Sequence, residues 1–169
     1  RGQLINFYPV SDDVIYKNLV DNFSVSPSLA KNLTKLSASC PMTAIKFLQD
    51  ENLYNYYQEI AQSFLEFLDT NFAYRVGIID EVVKRAEVLS KIEILQIWQS
   101  VLRDLILVNC GQYDLVRNEF MLDKLKEFSK KYSKNGELGK KIVTINSALE
   151  YHQANINFKA VLEYLAVNI

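Results

Sequence analysis

Glycine, proline, cysteine and histidine are all scarce in this chain. Its 169 residues include five Gly, three Pro, two Cys and one His. So few glycines and prolines leave little material for the turns of a many-stranded fold and favour helices with short connections. Cys40 and Cys110 with the single His152 cannot assemble a zinc site. Two distant thiols also suggest no disulfide framework, so a reducing cytoplasm is the expected setting. An excess of one charge is lacking too. Nineteen Lys+Arg against twenty Asp+Glu leave −1, and no net field advertises affinity for nucleic acid or a membrane surface. No apolar run approaches the roughly 18–20 uncharged residues of a membrane span, and the N-terminus lacks a signal peptide's basic-then-apolar layout. What the chain does have is 49% hydrophobic and 23% charged residues in 19.5 kDa. That is globular composition, enough for one ordinary domain or two small ones.

The first residues differ from the rest. Leu4, Ile5, Phe7, Tyr8 and Val10 form a β-prone run broken by Pro9, which predicts a short strand over residues 3–8. Beyond it the pattern is helical. Ser11 followed by Asp12 and Asp13 reads as an N-cap with acids in the first turn. Val14, Ile15, Leu19, Val20 and Phe23 then recur near the 3.6-residue period. Pro27 and Pro41 each sit where a helix can begin without losing a hydrogen bond. Leu29, Ala30, Leu33 and Leu36 form the stripe of the second helix, and Ala44, Ile45, Phe47 and Leu48 that of the third. Three short helices within about fifty residues make a separable unit.

From Leu53 the helices lengthen. Tyr56, Ile60, Phe64, Phe67, Leu68 and Phe72 share one face to about residue 72, Gly77 marks a break, and Ile78 to Leu89 predicts another helix. Ile92 to Val108 is apolar almost all round, as expected of a central, surrounded helix stopped by Gly111. Residues 112–136 are ambiguous. Ile142, Ile145, Leu149 and His152 define the penultimate helix, and Phe158, Val161, Leu162 and Leu165 the last. The chain is therefore expected to be all-α.

Chemistry-bearing constellations are sparse. His-dependent catalysis would rest on His152 alone, and its helical spacing from Leu149 makes a packing role the simpler reading. Gly136-Glu137-Leu138-Gly139-Lys140-Lys141 fails as a phosphate loop on glycine spacing, on the missing Ser/Thr after lysine and on the missing strand before it, leaving a glycine-bearing linker. Lys124 to Lys141 holds seven lysines (124, 126, 130, 131, 134, 140 and 141) against Glu127 and Glu137. Such a cluster can meet a phosphate backbone, but a solvated helix face is the commoner case, and only Phe128 and Tyr132 are interleaved for stacking. Tyr54, Tyr56, Tyr57, Phe64, Phe67, Phe72 and Tyr74 follow helical spacing and read mainly as core, with the tyrosines able to serve an interface. Pattern alone describes a helical, non-catalytic, partner-binding chain.

Four stretches together resemble the clamp-loader AAA+ subunits of bacterial DNA polymerase III. Arg1-Gly2-Gln3-Leu4-Ile5-Asn6-Phe7-Tyr8-Pro9-Val10-Ser11 is similar to that family's Ser-Arg-Cys strand running into a Phe-x-Pro-Leu-Ser/Thr segment before the lid. Leu33 to Ile45 resembles the lid signature Leu-Ala-x-Leu-Ser-Gly-Gly-Ser-Pro-Gly-Arg-Ala-Leu. Trp98 to Leu107 resembles the Trp-x-Arg-Asp-Leu-Leu collar helix, and Asn155 to Leu165 the closing Asn-x-Asn…Leu-Glu-x-Leu helix. The resemblance spans nearly the whole chain in the right order. It implies a three-helix AAA+ lid at residues 1–50, a helical collar at 53–169 and a nucleotide-binding core preceding residue 1. The family's ATPases carry an arginine, sensor 2, that reaches the γ-phosphate. Thr43 stands at that position, without charge or reach, which sets the chain apart from the ATP-hydrolysing gamma/tau subunits unless Thr43 is simply an ordinary first-turn residue. Arg1 matches the arginine finger offered to a neighbour's ATP, although Gly2 replaces the cysteine. The resemblance further implies ring assembly with gamma/tau and delta subunits, and action on a sliding clamp and primed DNA through the whole complex. Neither a cofactor nor a membrane is called for. Trp98 and Arg103 are the residue types that anchor interfaces, Trp98 serving equally as a buried structural residue. A free-standing helical adaptor is the alternative from another class.

Overall fold

A computed structural model describes residues 8–86, 88–132 and 136–169, and every regular element among them is a helix. The chain divides into two compact units, Arg1–Glu51 and Asn52–Ile169. Of the predicted 3–8 strand, residues 3–7 lie outside the described residues and Tyr8 is exposed without regular structure.

The first unit holds α1 (Asp12–Phe23), α2 (Pro27–Leu36) and α3 (Pro41–Gln49), each packed on the other two. Ser11 takes the N-cap position of α1 in extended backbone, with Asp12 and Asp13 in the first turn, but its hydroxyl makes no capping bond. Ile15, Leu19, Val25, Ala30, Leu33, Leu36, Ala44 and Phe47 form the core. Val14, Phe23 and Leu29, expected in the buried stripes, are exposed, because three short helices bury only a narrow face each. Between α2 and α3 the chain turns through Ala38 (φ 50°) and Ser39 (φ 67°). The Cys40 N–H donates to the Ser37 carbonyl at 3.0 Å, and the Val10 N–H donates to the Ser39 carbonyl at 3.1 Å. Two consecutive left-handed non-glycine residues carry a steric cost of about 1–2 kcal/mol each. Glycine removes the clash but adds chain entropy of about 0.5–1 kcal/mol. Ala38→Gly and Ser39→Gly are therefore each expected to stabilise this unit by about 0.5–1 kcal/mol, read as a later urea midpoint.

The second unit contains α4 (Glu51–Asp69, beginning at the boundary), α5 (Phe72–Arg85), α6 (Lys91–Asn109), α7 (Leu122–Ser129), α8 (Glu137–Gln153) and α9 (Phe158–Asn168). Single 3₁₀ turns lie at Tyr113–Leu115, Glu119–Met121 and Lys130–Tyr132, so the described residues of the ambiguous stretch 112–136 form one short helix among turns. α6 packs on α7 and α8, α8 on α9, and α9 on α5. Both ends of α6 are fixed by local chemistry. At its start Ser90 and Glu93 form a capping box. At its end Gly111 (φ 75°) donates its N–H to Val108 while Gln112 donates to Leu107, a Schellman stop.

The break expected at Gly77 is absent. α5 runs unbroken from Phe72 to Arg85, and the chain turns earlier, at Asn71, whose side chain accepts the Tyr74 N–H at 3.2 Å. Gly77 is exposed and a Cβ there would meet nothing within 4 Å, so it neither turns nor packs while Ile79 and Val82 bury the helix face. Phe72 and Tyr74, read as part of an aromatic core, are 56% and 70% exposed, whereas Tyr57, Phe64 and Phe67 are buried. Arg75 ties three elements together. Its Nε donates to the Phe67 carbonyl near the end of α4, its Nη1 donates to the Ala166 carbonyl near the end of α9, both at 2.9 Å, and its guanidinium lies over the Phe67 ring.

Candidate functional site

α6 is walled by Ile94, Leu95, Trp98, Val101, Leu102, Leu105 and Val108, all buried, and Asp104 lies on the same buried surface with 0% exposure. A carboxylate is almost never fully buried unless donors surround it. Here Oδ2 accepts from the Arg117 N–H at 3.0 Å, the Asn118 N–H at 2.8 Å and the Asn118 side-chain amide at 2.7 Å. Oδ1 accepts from Arg103 Nη1 at 2.9 Å. Asn118 is also fully buried. Its Oδ1 accepts from the Tyr57 hydroxyl of α4 at 2.8 Å, and its amide also reaches Ser100 Oγ at 3.3 Å. Arg103 donates as well to the Leu115 carbonyl at 3.3 Å. α4, α6 and residues 115–118 thus meet at one polar knot inside an apolar body. With its oxygens engaged and no solvent-facing edge, Asp104 positions backbone rather than handling substrate protons.

Burial, reinforced by the charge of Asp104, pushes the Tyr57 phenol well above its ordinary value near 10. Above about pH 10 the unfolded chain therefore releases this proton while the folded chain keeps it. The folded state then binds more protons, so stability falls as pH rises. Asp69 beside Lys131 and Asp80 beside Lys159 push those two ammonium groups up and add the same sign, whereas burial pushes Lys141 down and opposes it. Urea midpoints measured from pH 8 to 11 are expected to drop on the alkaline side, and Tyr57→Phe to drop less steeply.

The sequence-predicted residues fall in separate places. Arg1 lies outside the described residues. Thr43 is half-buried in the first turn of α3. Its N–H donates to the Cys40 carbonyl at 3.1 Å, and the nearness of its hydroxyl and N–H holds the exposed Cys40 thiol below its usual range. Trp98 has 0% exposure, stacked 5.1 Å from Phe64 and tilted against Phe67 at 4.9 Å. It fills the core of the second unit and presents no surface to a neighbour, so it is not an interface anchor. Arg103 is half-buried on the polar knot. His152 packs edge-on to Phe158 at 5.9 Å in the last turn of α8. Gly136 (φ 63°) caps α8, and Gly139 lies inside that helix rather than in a loop.

Much of the lysine cluster is locally engaged. Lys131 pairs with Asp69 at 2.7 Å and Lys126 with Asp123 at 3.8 Å, while Lys124 donates to Gln62 and Lys141 to the Ile169 carbonyl. Lys134 lies outside the described residues. The Lys131 and Lys124 links span a groove between α4 and α7 that also holds Leu65 and Phe128. Among the described residues no three His, Cys, Asp or Glu side chains converge on a metal position, and no helix is long and apolar enough to cross a membrane.

Sequence reasoning missed Asp104, Asn118 and Tyr57 as a unit. The signal was present in Asp104, a charge one turn from both Val101 and Val108 on a helix that is apolar almost all round. Its partner Asn118 sits in irregular sequence, where no periodicity points to burial. No protein family, no curated protein and no solved structure matches the chain.

Proposed function

We propose that the chain is a structural, non-hydrolysing clamp-loader subunit of the delta-prime type. In it, residues 1–51 act as an AAA+ lid and residues 52–169 as a helical collar. It holds the loader ring with gamma/tau and delta subunits, and the ring places the sliding clamp on primed DNA. The observation that carries this assignment is the turn between α2 and α3. The lid signature has Gly-Gly where this chain has Ala38-Ser39, and both residues adopt the left-handed backbone that favours glycine. A conformation kept without the residues that suit it supports an inherited turn rather than a chance string of letters.

The closing Asn-x-Asn motif gives similar support. Asn155 (φ 62°) forms the left-handed stop of α8, and the Asn157 side chain caps α9 by accepting from the Lys159 and Ala160 N–H groups. Thr43, at the sensor-2 position, has a short neutral side chain half-buried in the first turn of α3, which favours the non-hydrolysing subunit over gamma/tau. The test is gel filtration of the chain mixed with gamma/tau and delta subunits from the same source, with and without ATP. Co-elution in both conditions is expected. Separate elution in both would sink the assignment, and co-elution only with ATP would return the chain to the ATPase class.

A further inference from the structure

The segment Gly111–Met121 differs in kind from the helices beneath it. It contains only two single 3₁₀ turns, and its first five residues are all exposed, with Tyr113 at 47% and Leu115 at 55%. Val116, Asn118 and Met121 are its buried side chains. Val116, Met121 and the half-buried Phe120, edge-on to Tyr57, are its apolar fastening, all within its second half. Beside the Arg103 bond to the Leu115 carbonyl, its buried polar contacts gather at one place. Arg117 N–H, Asn118 N–H and the Asn118 amide converge on a single oxygen of Asp104, and Tyr57 holds the other end of the same amide. Three of these four bonds belong to Asn118 and the fourth to the residue before it, so unseating Asn118 breaks three and strains the last. Each end has a natural pivot, Gly111 with its left-handed backbone and the 3₁₀-to-helix junction at Met121–Leu122.

We infer that residues 111–121 form a strap closed by the Asp104–Asn118 clasp, which opens as one unit while α4, α6, α8 and α9 stay folded. Opening turns a fully buried carboxylate, flanked by the Tyr57 and Ser100 hydroxyls, into a solvent-facing floor. None of this depends on membership of a clamp loader.

Native-state amide exchange followed by NMR at low denaturant tests it on the unaltered chain. The Val116, Arg117, Asn118 and Met121 amides are expected to share one opening, with a weaker denaturant dependence than the Val101–Leu105 amides of α6 and faster exchange. Asn118→Ala is expected to speed exchange across Val116, Arg117 and Met121 by about 10–100-fold, as loss of buried hydrogen bonds requires, and to leave α6 and α9 within about threefold. The inference is overturned if the strap amides of the unaltered chain exchange only together with α6. It is equally overturned if Asn118→Ala accelerates α6 as much as the strap, or leaves the strap unchanged.

Discussion

Trp98→Ala is expected to cost the second unit about 3–5 kcal/mol, the range for deleting a fully buried large aromatic. Trp98 lies mid-helix in α6 with no exposed surface and touches two phenylalanine rings of α4, so truncation removes both its buried area and its ring–ring contacts. The capping box at Ser90 and the glycine stop at Gly111 fix both ends of α6. The helix therefore has little freedom to slide and refill the hole, which places the loss toward the upper part of that range. Thermal unfolding should fall by about 10–20 °C. Trp98→Phe keeps the stacking, and the indole N–H has no acceptor among the described residues, so no hydrogen bond is lost. That variant is expected to lose only about 1–2 kcal/mol, from the smaller ring. A Trp98→Ala protein within 1 kcal/mol of the unaltered chain would contradict the central place given to this residue.

Asp104→Ala should cost about 2–4 kcal/mol, since it strands the Arg117 N–H, the Asn118 N–H and the Asn118 amide next to an apolar wall. The ceiling is the free energy of releasing residues 111–121, because once the strap opens its orphaned donors reach water. Asn118→Ala removes the other half of the same knot. The double variant is therefore expected to cost scarcely more than the worse single one, giving a large coupling in a double-mutant cycle of urea midpoints. Simple additivity would show that the two residues act through unrelated contacts.

Apolar periodicity made most helices legible before any coordinates. Pro27 and Pro41 open α2 and α3, Gly111 stops α6, and the spacing of Phe158, Val161, Leu162 and Leu165 marks a helix that buries all four. The failures share a physical cause. Gly77 looks like punctuation in the sequence, yet glycine costs a solvent-facing helix position only about 1 kcal/mol, which the flanking Ile79 and Val82 contacts override. The true turn at Asn71 carried a weaker signal, a single capping side chain. Phe72 and Tyr74 share the spacing of their buried neighbours but stand at a helix start, where a side chain can point past the end of the core. The polar knot was the least legible feature, since it joins Tyr57, Asp104 and Asn118 from segments far apart in the chain, and only tertiary structure brings them together.

Clamp-loader membership is the central claim, and native mass spectrometry of a reconstituted loader tests it most directly. The measurement mixes the chain with gamma/tau and delta subunits in the absence of nucleotide and reads the mass of the assembly. A five-membered complex containing one copy of this chain is the predicted result, unchanged by Thr43→Val, which alters the proposed sensor-2 position in the first unit and leaves the second unit, the proposed collar, as it is. Detection of the other subunits assembled among themselves, with this chain only as free monomer, would contradict it.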